Sequence, residues 1–225
     1  MPGKKLRKIA KVFSPKHVIK QLNGSRVYRD VAKQYDLVYF GNVSSHDDHE
    51  MVRGLTVSAA HQDRHYCMGT IQGYDVIMLE RTDSLTFPGK PVEAYRWVIL
   101  QIDLENLHLP HVFIDARQHP STFYDALFAK FARLNAVDVN MFADHDPRFS
   151  QNFTVYSAPD KQLEMIHTLR PEITAMLGHH FTNFDFEIFD DRLIVYSSNR
   201  TPSKQLIDYM LRAGIWLARE IESKT

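Results

Sequence analysis

Cysteine is almost missing from this chain. One residue, Cys67, stands alone among 225, which excludes an internal disulfide and any multi-cysteine metal or iron–sulfur site. Glycine is scarce as well, at nine residues. None of them falls into a Gly-x-Gly-x-x-Gly or Walker-type loop, so the phosphate cradles built on those patterns are unsupported. No Gly-x-Ser-x-Gly elbow is present either. No apolar run approaches the roughly eighteen residues that a spanning helix needs. The leading Met-Pro-Gly-Lys-Lys-Leu-Arg-Lys-Ile-Ala-Lys-Val-Phe stretch lacks the long apolar core of a signal peptide. These absences together predict a reducing, cytoplasmic home.

One further absence is local. Residues 1–29 contain no aspartate or glutamate, yet they hold Lys4, Lys5, Arg7, Lys8, Lys11, Lys16, Lys20, Arg26 and Arg29. The whole chain balances 27 basic against 27 acidic residues, so removing those nine leaves 18 against 27. A segment of charge +9 is thus joined to a body of charge −9. That segment also has apolar periodicity. Leu6, Ile9, Ala10 and Phe13 recur at helical spacing before Pro15, and Val18, Ile19 and Leu22 follow it. The Asn23-Gly24 pair predicts a break, and Ser25 a cap for a third stretch carrying Val27, Val31 and Tyr35.

What remains is ordinary globular material, 44% apolar and 24% charged, which predicts a folded chain rather than a disordered one. From residue 37 the period shortens. Residues 37–40, 55–60, 64–71 and 74–81 read as strands, the last two joined at Gly69-Thr-Ile-Gln-Gly73 as a hairpin. Residues 95–104 predict a central strand and 112–114 a short one. Residues 121–134 read as a helix behind Pro120. Phe153 and Val155 alternate in a strand. Ser157-Ala-Pro-Asp160 has capping-box spacing ahead of a helix buried through Leu163, Ile166 and Leu169. Pro171 starts another helix, which Gly178 is expected to end. Phe184, Phe186 and Ile188 alternate with Asp185 and Glu187 in a half-buried strand that turns at Asp190-Asp191 and returns over 192–196. A last helix from Thr201-Pro202 buries Leu206, Met210, Ala213, Leu217 and Ile221. Helices mixed with hairpins, without a strand–helix–strand rhythm, predict an α+β fold of antiparallel sheets with flanking helices and a helical basic N-terminal region. The expected division is 1–36 for that region and 37–225 for the body, with two lobes meeting near 116–150.

Two histidine-and-acid groups are candidate metal ligands. His46-Asp47-Asp48-His49-Glu50 would put His46, His49 and Glu50 on one helical face, although the flanking glycine and serines read as a loop. His61, Asp63, His65 and Cys67 alternate, so in a strand they share a face, opposite Gln62, Arg64, Tyr66 and Met68. The simpler reading makes that face the solvent side, with Tyr66 and Met68 inward. A metal-dependent hydrolase using His46, His49, His61, Asp63 and His65 is the alternative function. Asp144-His145-Asp146-Pro147 could pair a base with an orienting carboxylate, but Asp-Pro favours a turn. No cofactor and no catalytic residue is predicted.

The runs Phe153-Thr-Val155-Tyr-Ser, Leu169-Arg-Pro171, Phe184-Asp-Phe186-Glu-Ile188 and Leu193-Ile-Val195-Tyr196, with Leu163 and Leu177 between them, resemble an uncharacterised bacterial family, a domain of unknown function. The Gly69–Gly73 hairpin with Tyr74, the Trp97–Leu104 strand and Leu109-Pro110 are similar to the same pattern, which spans residues 54–221. The resemblance implies no known activity. Members of that family often carry N-terminal membrane segments, whereas this chain has a charged amphipathic tail. The expected function is a non-catalytic binding or scaffolding domain, peripheral at the inner membrane face through Lys4, Lys5, Arg7, Lys8, Lys11, Lys16 and Lys20, or bound to a protein partner. The plainer alternative is that this segment packs its apolar face on the acidic body, an intramolecular charge match. Nucleic acid is less favoured, because Phe13 and Tyr28 are the only aromatics in the first 29 residues.

Overall fold

The computed structural model describes residues 15–42, 52, 54–56, 61–85, 93–105, 109–117, 134–198 and 200–223. The side chains of 15–24, Leu85 and Glu93 are not among them. The expected helix at 6–13 and most of the one at 121–134 therefore lie outside the described residues.

Nine strands form one fully antiparallel sheet. They are β1 (Val38–Gly41), β2 (Gln62–Ile71), β3 (Tyr74–Leu85), β4 (Glu93–Asp103), β5 (Leu109–Ala116), β6 (Asn135–Val137), β7 (Phe153–Ser157), β8 (Asp185–Asp190) and β9 (Arg192–Ser198). Their spatial order is β1-β2-β3-β4-β9-β8-β5-β7-β6. The late hairpin β8–β9 thus inserts between β4 and β5. The α+β expectation holds.

Helices cover one face of this sheet. Helix α1 (Pro15–Gln34) precedes β1, and α2 (Pro147–Asn152) precedes β7. Helices α3 (Gln162–Thr168) and α4 (Pro171–His180) follow β7, and α5 (Lys204–Glu222) closes the chain. Tyr28, Val31 and Ala32 on α1 join Val98, Leu100 and Ile102 of β4, Leu193 and Val195 of β9, and Met210, Ala213 and Leu217 of α5 in the larger core. Residues spaced three and four apart on a helix meet alternate residues of strands, the packing that both periods predict. The Ser203 hydroxyl caps α5 by accepting from the Leu206 amide at 3.1 Å.

The other face has its own core. Tyr66, Leu79, Trp97, Ile99, Phe113, Ile194 and Tyr196 pack there with Val52, Leu55 and Leu134. This second covering overturns the half-buried reading of β8. Asp185 and Glu187 are 0% and 1% exposed, not solvent-facing.

Four local expectations fail for identifiable reasons. α1 runs through Asn23-Gly24 without a break, and its packed half supplies the tertiary contacts that override a weak local stop. Ser157 does not cap a helix. Its hydroxyl donates to the His111 carbonyl at 3.3 Å, and a 3₁₀ turn at Pro159–Lys161 intervenes before α3. Leu163 is 72% exposed, so Met165 is buried in its place, together with the expected Leu169. Gly178 lies inside α4 rather than beyond it. A Cβ there would come within 2.7 Å of the Phe149 amide nitrogen, so glycine lets α2 and α4 approach closely. Among the described residues no helix is long and apolar enough to cross a membrane.

Candidate functional site

The alternation expected in β2 is broken in its middle. The β2–β3 register shifts between Arg64 and Cys67, an extra-residue bulge. His65 within it has φ +61°, a left-handed conformation unusual for a residue with a side chain. The bulge changes which residues share a face. Tyr66 lies on the same side as Asp63 and donates to its Oδ2 at 3.0 Å. His65 and Cys67 face α1 on the other side, where the His65 ring stacks 5.3 Å from Tyr28. His61, Asp63, His65 and Cys67 therefore do not form the common face expected of them.

Asp63 is also committed elsewhere. Arg81 of β3 donates to it twice, from Nε to Oδ1 at 2.7 Å and from Nη2 to Oδ2 at 2.6 Å. Both side chains are fully buried. Arg81 also donates to the Thr56 hydroxyl at 3.0 Å and to the Val52 carbonyl at 2.9 Å. His61, 4% exposed at its side chain, keeps its Nε2 3.9 Å from Asp63 Oδ2. Among the described residues no group of three or more histidine, cysteine, aspartate or glutamate side chains is arranged to hold a metal ion. His46 and His49 lie outside the described residues.

A second buried charge holds the same stretch. Glu187 Oε2 accepts from the Leu55 amide at 2.9 Å and from the Tyr196 hydroxyl, while Oε1 meets His111 Nε2 at 2.8 Å. Burial, then the Glu187 charge, pushes the Tyr196 hydroxyl well above its ordinary pKa, so it remains a donor. Val52, Leu55 and Thr56 are thus fastened to the sheet by a guanidinium at one side and a carboxylate at the other. Gly54, at φ +133°, sits where a Cβ would collide with the Tyr196 hydroxyl and the Glu187 carboxylate.

The sheet edge beside α1 has different electrostatics. Arg26, Arg29 and Lys33 are exposed on the helix's outer face, with Asp30 among them. The Arg29 guanidinium lies 5.2 Å over the Tyr39 ring, within cation–π range. Tyr39 Oη and His65 Nδ1 are 2.9 Å apart. Burial first, then the charges of Arg64, Arg96 and Arg29, push the His65 pKa below its ordinary value, so the imidazole is neutral near pH 7. On β1, Val38 and Phe40 are 57% and 56% exposed.

Several other polar groups are satisfied locally. A cleft of about 470 Å³ is lined by Asp75, Asp103, Glu105, Arg219 and Glu222. Three of its four carboxylates are engaged, Glu222 with Tyr74 and the Glu105 amide, Asp75 with Thr70, Asp103 with Gln101. His145 pairs with Thr174 at 2.7 Å, while Asp146 accepts from the Arg148 amide at 2.8 Å as the cap of α2 and meets His179 at 2.8 Å. The Asp-His-Asp run is therefore a turn and cap, as Asp-Pro suggested. Lys4, Lys5, Arg7, Lys8 and Lys11 lie outside the described residues, and Lys16 and Lys20 are placed only as helical backbone.

Sequence reasoning passed over Arg81, Glu187 and His111. The signal for the first was available, since Glu80-Arg81 interrupts a strand that opens Val-Ile-Met-Leu. A charge pair there implies either a strand end or a buried ion pair.

No family model matches this chain, and no curated protein matches it. A solved structure does. The crystal structure of the mycobacterial trehalose monomycolate transport factor A, TtfA, is similar at TM-score 0.58 and 10% identity, over 88% of this chain and 94% of that one. At that identity the likeness shows a shared fold.

Proposed function

We propose that the protein is a non-catalytic binding or scaffolding domain that docks on an anionic membrane surface at its cytoplasmic side. Lys4, Lys5, Arg7, Lys8, Lys11, Lys16 and Lys20 supply the attraction. The reading treats residues 1–36 as the docking region and 37–225 as the body it tethers. The observation that carries it is the division of charge, +9 in residues 1–29 against −9 in the rest. The structure adds support where that segment meets the body. Helix α1 buries Tyr28, Val31 and Ala32 against the sheet while Arg26, Arg29 and Lys33 remain outside. A cationic face is therefore rigidly mounted beside exposed Val38 and Phe40. Arg81 and Asp63 are spent on each other and Glu187 on Leu55 and Tyr196, which favours a structural use for these buried charges over a chemical one. A neighbour of the same fold is titled a transport factor, which is compatible with a binding role.

Flotation of the full-length chain with phosphatidylglycerol vesicles tests the reading. Each cation at such a surface contributes about 1 kcal/mol, so replacing Lys4, Lys5, Arg7, Lys8 and Lys11 by glutamine should weaken binding by more than about a thousandfold at low salt. Binding that is equal in the variant, or indifferent to salt, would remove the membrane role.

A further inference from the structure

We propose that the α1 end of the sheet holds a phosphomonoester headgroup, gripped by Arg29, Arg64 and Arg96 around His65. Three arginines from three elements converge there. Arg29 projects from α1 over Tyr39 at 5.2 Å. Arg64 stands in register with Glu80 across the β2–β3 pair. Arg96 of β4 reaches Glu80 Oε1 at 3.1 Å. The three guanidiniums all act on His65, lowering its pKa after burial has done so. Three positive charges and one carboxylate leave +2, the complement of a phosphomonoester dianion.

The donors suit that ligand. Guanidinium forks bind phosphate oxygens in pairs and are more weakly hydrated than ammonium groups. A neutral imidazole between Tyr28 and Tyr39 adds a ring nitrogen. Its Nδ1 meets Tyr39 at 2.9 Å, which leaves Nε2 as the second ring nitrogen. Glu80 Oε2 is buried without a partner among the described residues, an acceptor for a ligand hydroxyl. The backbone points the same way. The bulge that presents His65 holds a non-glycine residue at φ +61°, a conformation that costs on the order of 1–3 kcal/mol and concentrates at ligand sites. A regular strand would have aimed His65 to the opposite face, away from all three arginines.

The proposal rests on the membrane reading for its ligand's source, a lipid such as phosphatidic acid. The test is binding of the full chain to phosphatidylcholine vesicles doped with phosphatidic acid or with phosphatidylserine, matched in surface charge. The wild type should prefer phosphatidic acid by about tenfold or more. Arg64→Gln should abolish that preference while leaving phosphatidylserine binding, which the N-terminal lysines provide. Arg29→Gln should abolish it too, with a general loss of about fivefold on both vesicles from removal of one surface cation. Arg64→Lys should retain part of the preference, and Arg200→Gln, an exposed control, all of it. Equal binding to the two vesicles, or a preference that survives both substitutions, overturns the proposal. The second arm is titration with glycerol 3-phosphate, read by NMR at the His65 ring. Saturable shifts lost in Arg64→Gln, in a protein that fails to float with any vesicle, keep the phosphate site and reject the membrane reading. Vesicle preference without His65 shifts places the phosphate elsewhere and overturns the site.

Discussion

Arg81 and Asp63 form a two-pronged ion pair across the β2–β3 ladder, with side chains that are both 0% exposed. Burying two charges costs several kcal/mol each, and the pair offsets that only while both members are present. Arg81→Met or Asp63→Asn should therefore destabilise the protein by about 3–5 kcal/mol, each leaving one partner buried and unmatched. Replacing both, by methionine and leucine, should cost markedly less than either single change. Urea denaturation checks both statements. Equal costs for the double and single variants would show that the pair is not acting as a unit.

The carboxylate on the other side of the same stretch leads to a second expectation. Gly54 is held at φ +133° where a Cβ would strike the Tyr196 hydroxyl, with Glu187 Oε2 at 2.9 Å. Gly54→Ala should lower stability by about 1–3 kcal/mol through strain and displacement of Leu55 from Glu187. Gly73 is a matched control, at φ +94° with open space around it. Its alanine variant carries the backbone strain without the collision. Thermal melts of the two variants should separate, with Gly54→Ala the lower. Coincident melts would mean that Gly54 and Leu55 are not seated on Glu187 and Tyr196.

Cys67 gives a chemical readout of the same architecture. Its thiol is wholly buried against α1, and burial pushes its pKa up to about 12. The thiolate is the reactive form, so at pH 8 the native protein should resist a thiol reagent such as dithionitrobenzoate. Labelling should appear only on unfolding. Rapid labelling of the folded chain would show that α1 leaves the sheet, exposing this residue on the labelling timescale.

The strands were legible where one face meets a core and spacing is uninterrupted. Trp97, Val98, Ile99 and Leu100 are all buried, as their unbroken apolar run implied for a central strand. β2 was misread because a bulge is one residue long. Nothing in His65-Tyr66-Cys67 distinguishes it from continued alternation, and a single inserted residue transposes every later side chain. β8 was misread for the opposite reason. Asp185 and Glu187 look like a solvent face until residues far away in sequence, Leu55 and Ser198, arrive as partners. Charge segregation, by contrast, needs no geometry to be seen. Its meeting point at Arg29, Arg64 and Arg96 draws on residues 67 positions apart end to end, and only the folded sheet assembles it.

Histidine titration tests whether that assembly exists in solution. His65 and His145 both have folded pKa values below the ordinary 6.5, burial being the first cause in each. In such a case the unfolded chain binds more protons than the folded one as pH falls past 6.5, so the contribution to stability is full above that value and declines below it. Two-dimensional NMR of the imidazole carbons should place both midpoints under 6.5. The causes differ beyond burial. His65 is also depressed by Arg64, Arg96 and Arg29, whereas Asp144 acts on His145 in the raising direction. Arg64→Gln should therefore move the His65 midpoint upward and leave His145 where it was. High salt should shift His65 the same way, since screening weakens repulsion between partly exposed charges. A His65 midpoint at or above 6.5, unmoved by Arg64→Gln, would mean that the three guanidiniums do not converge on it.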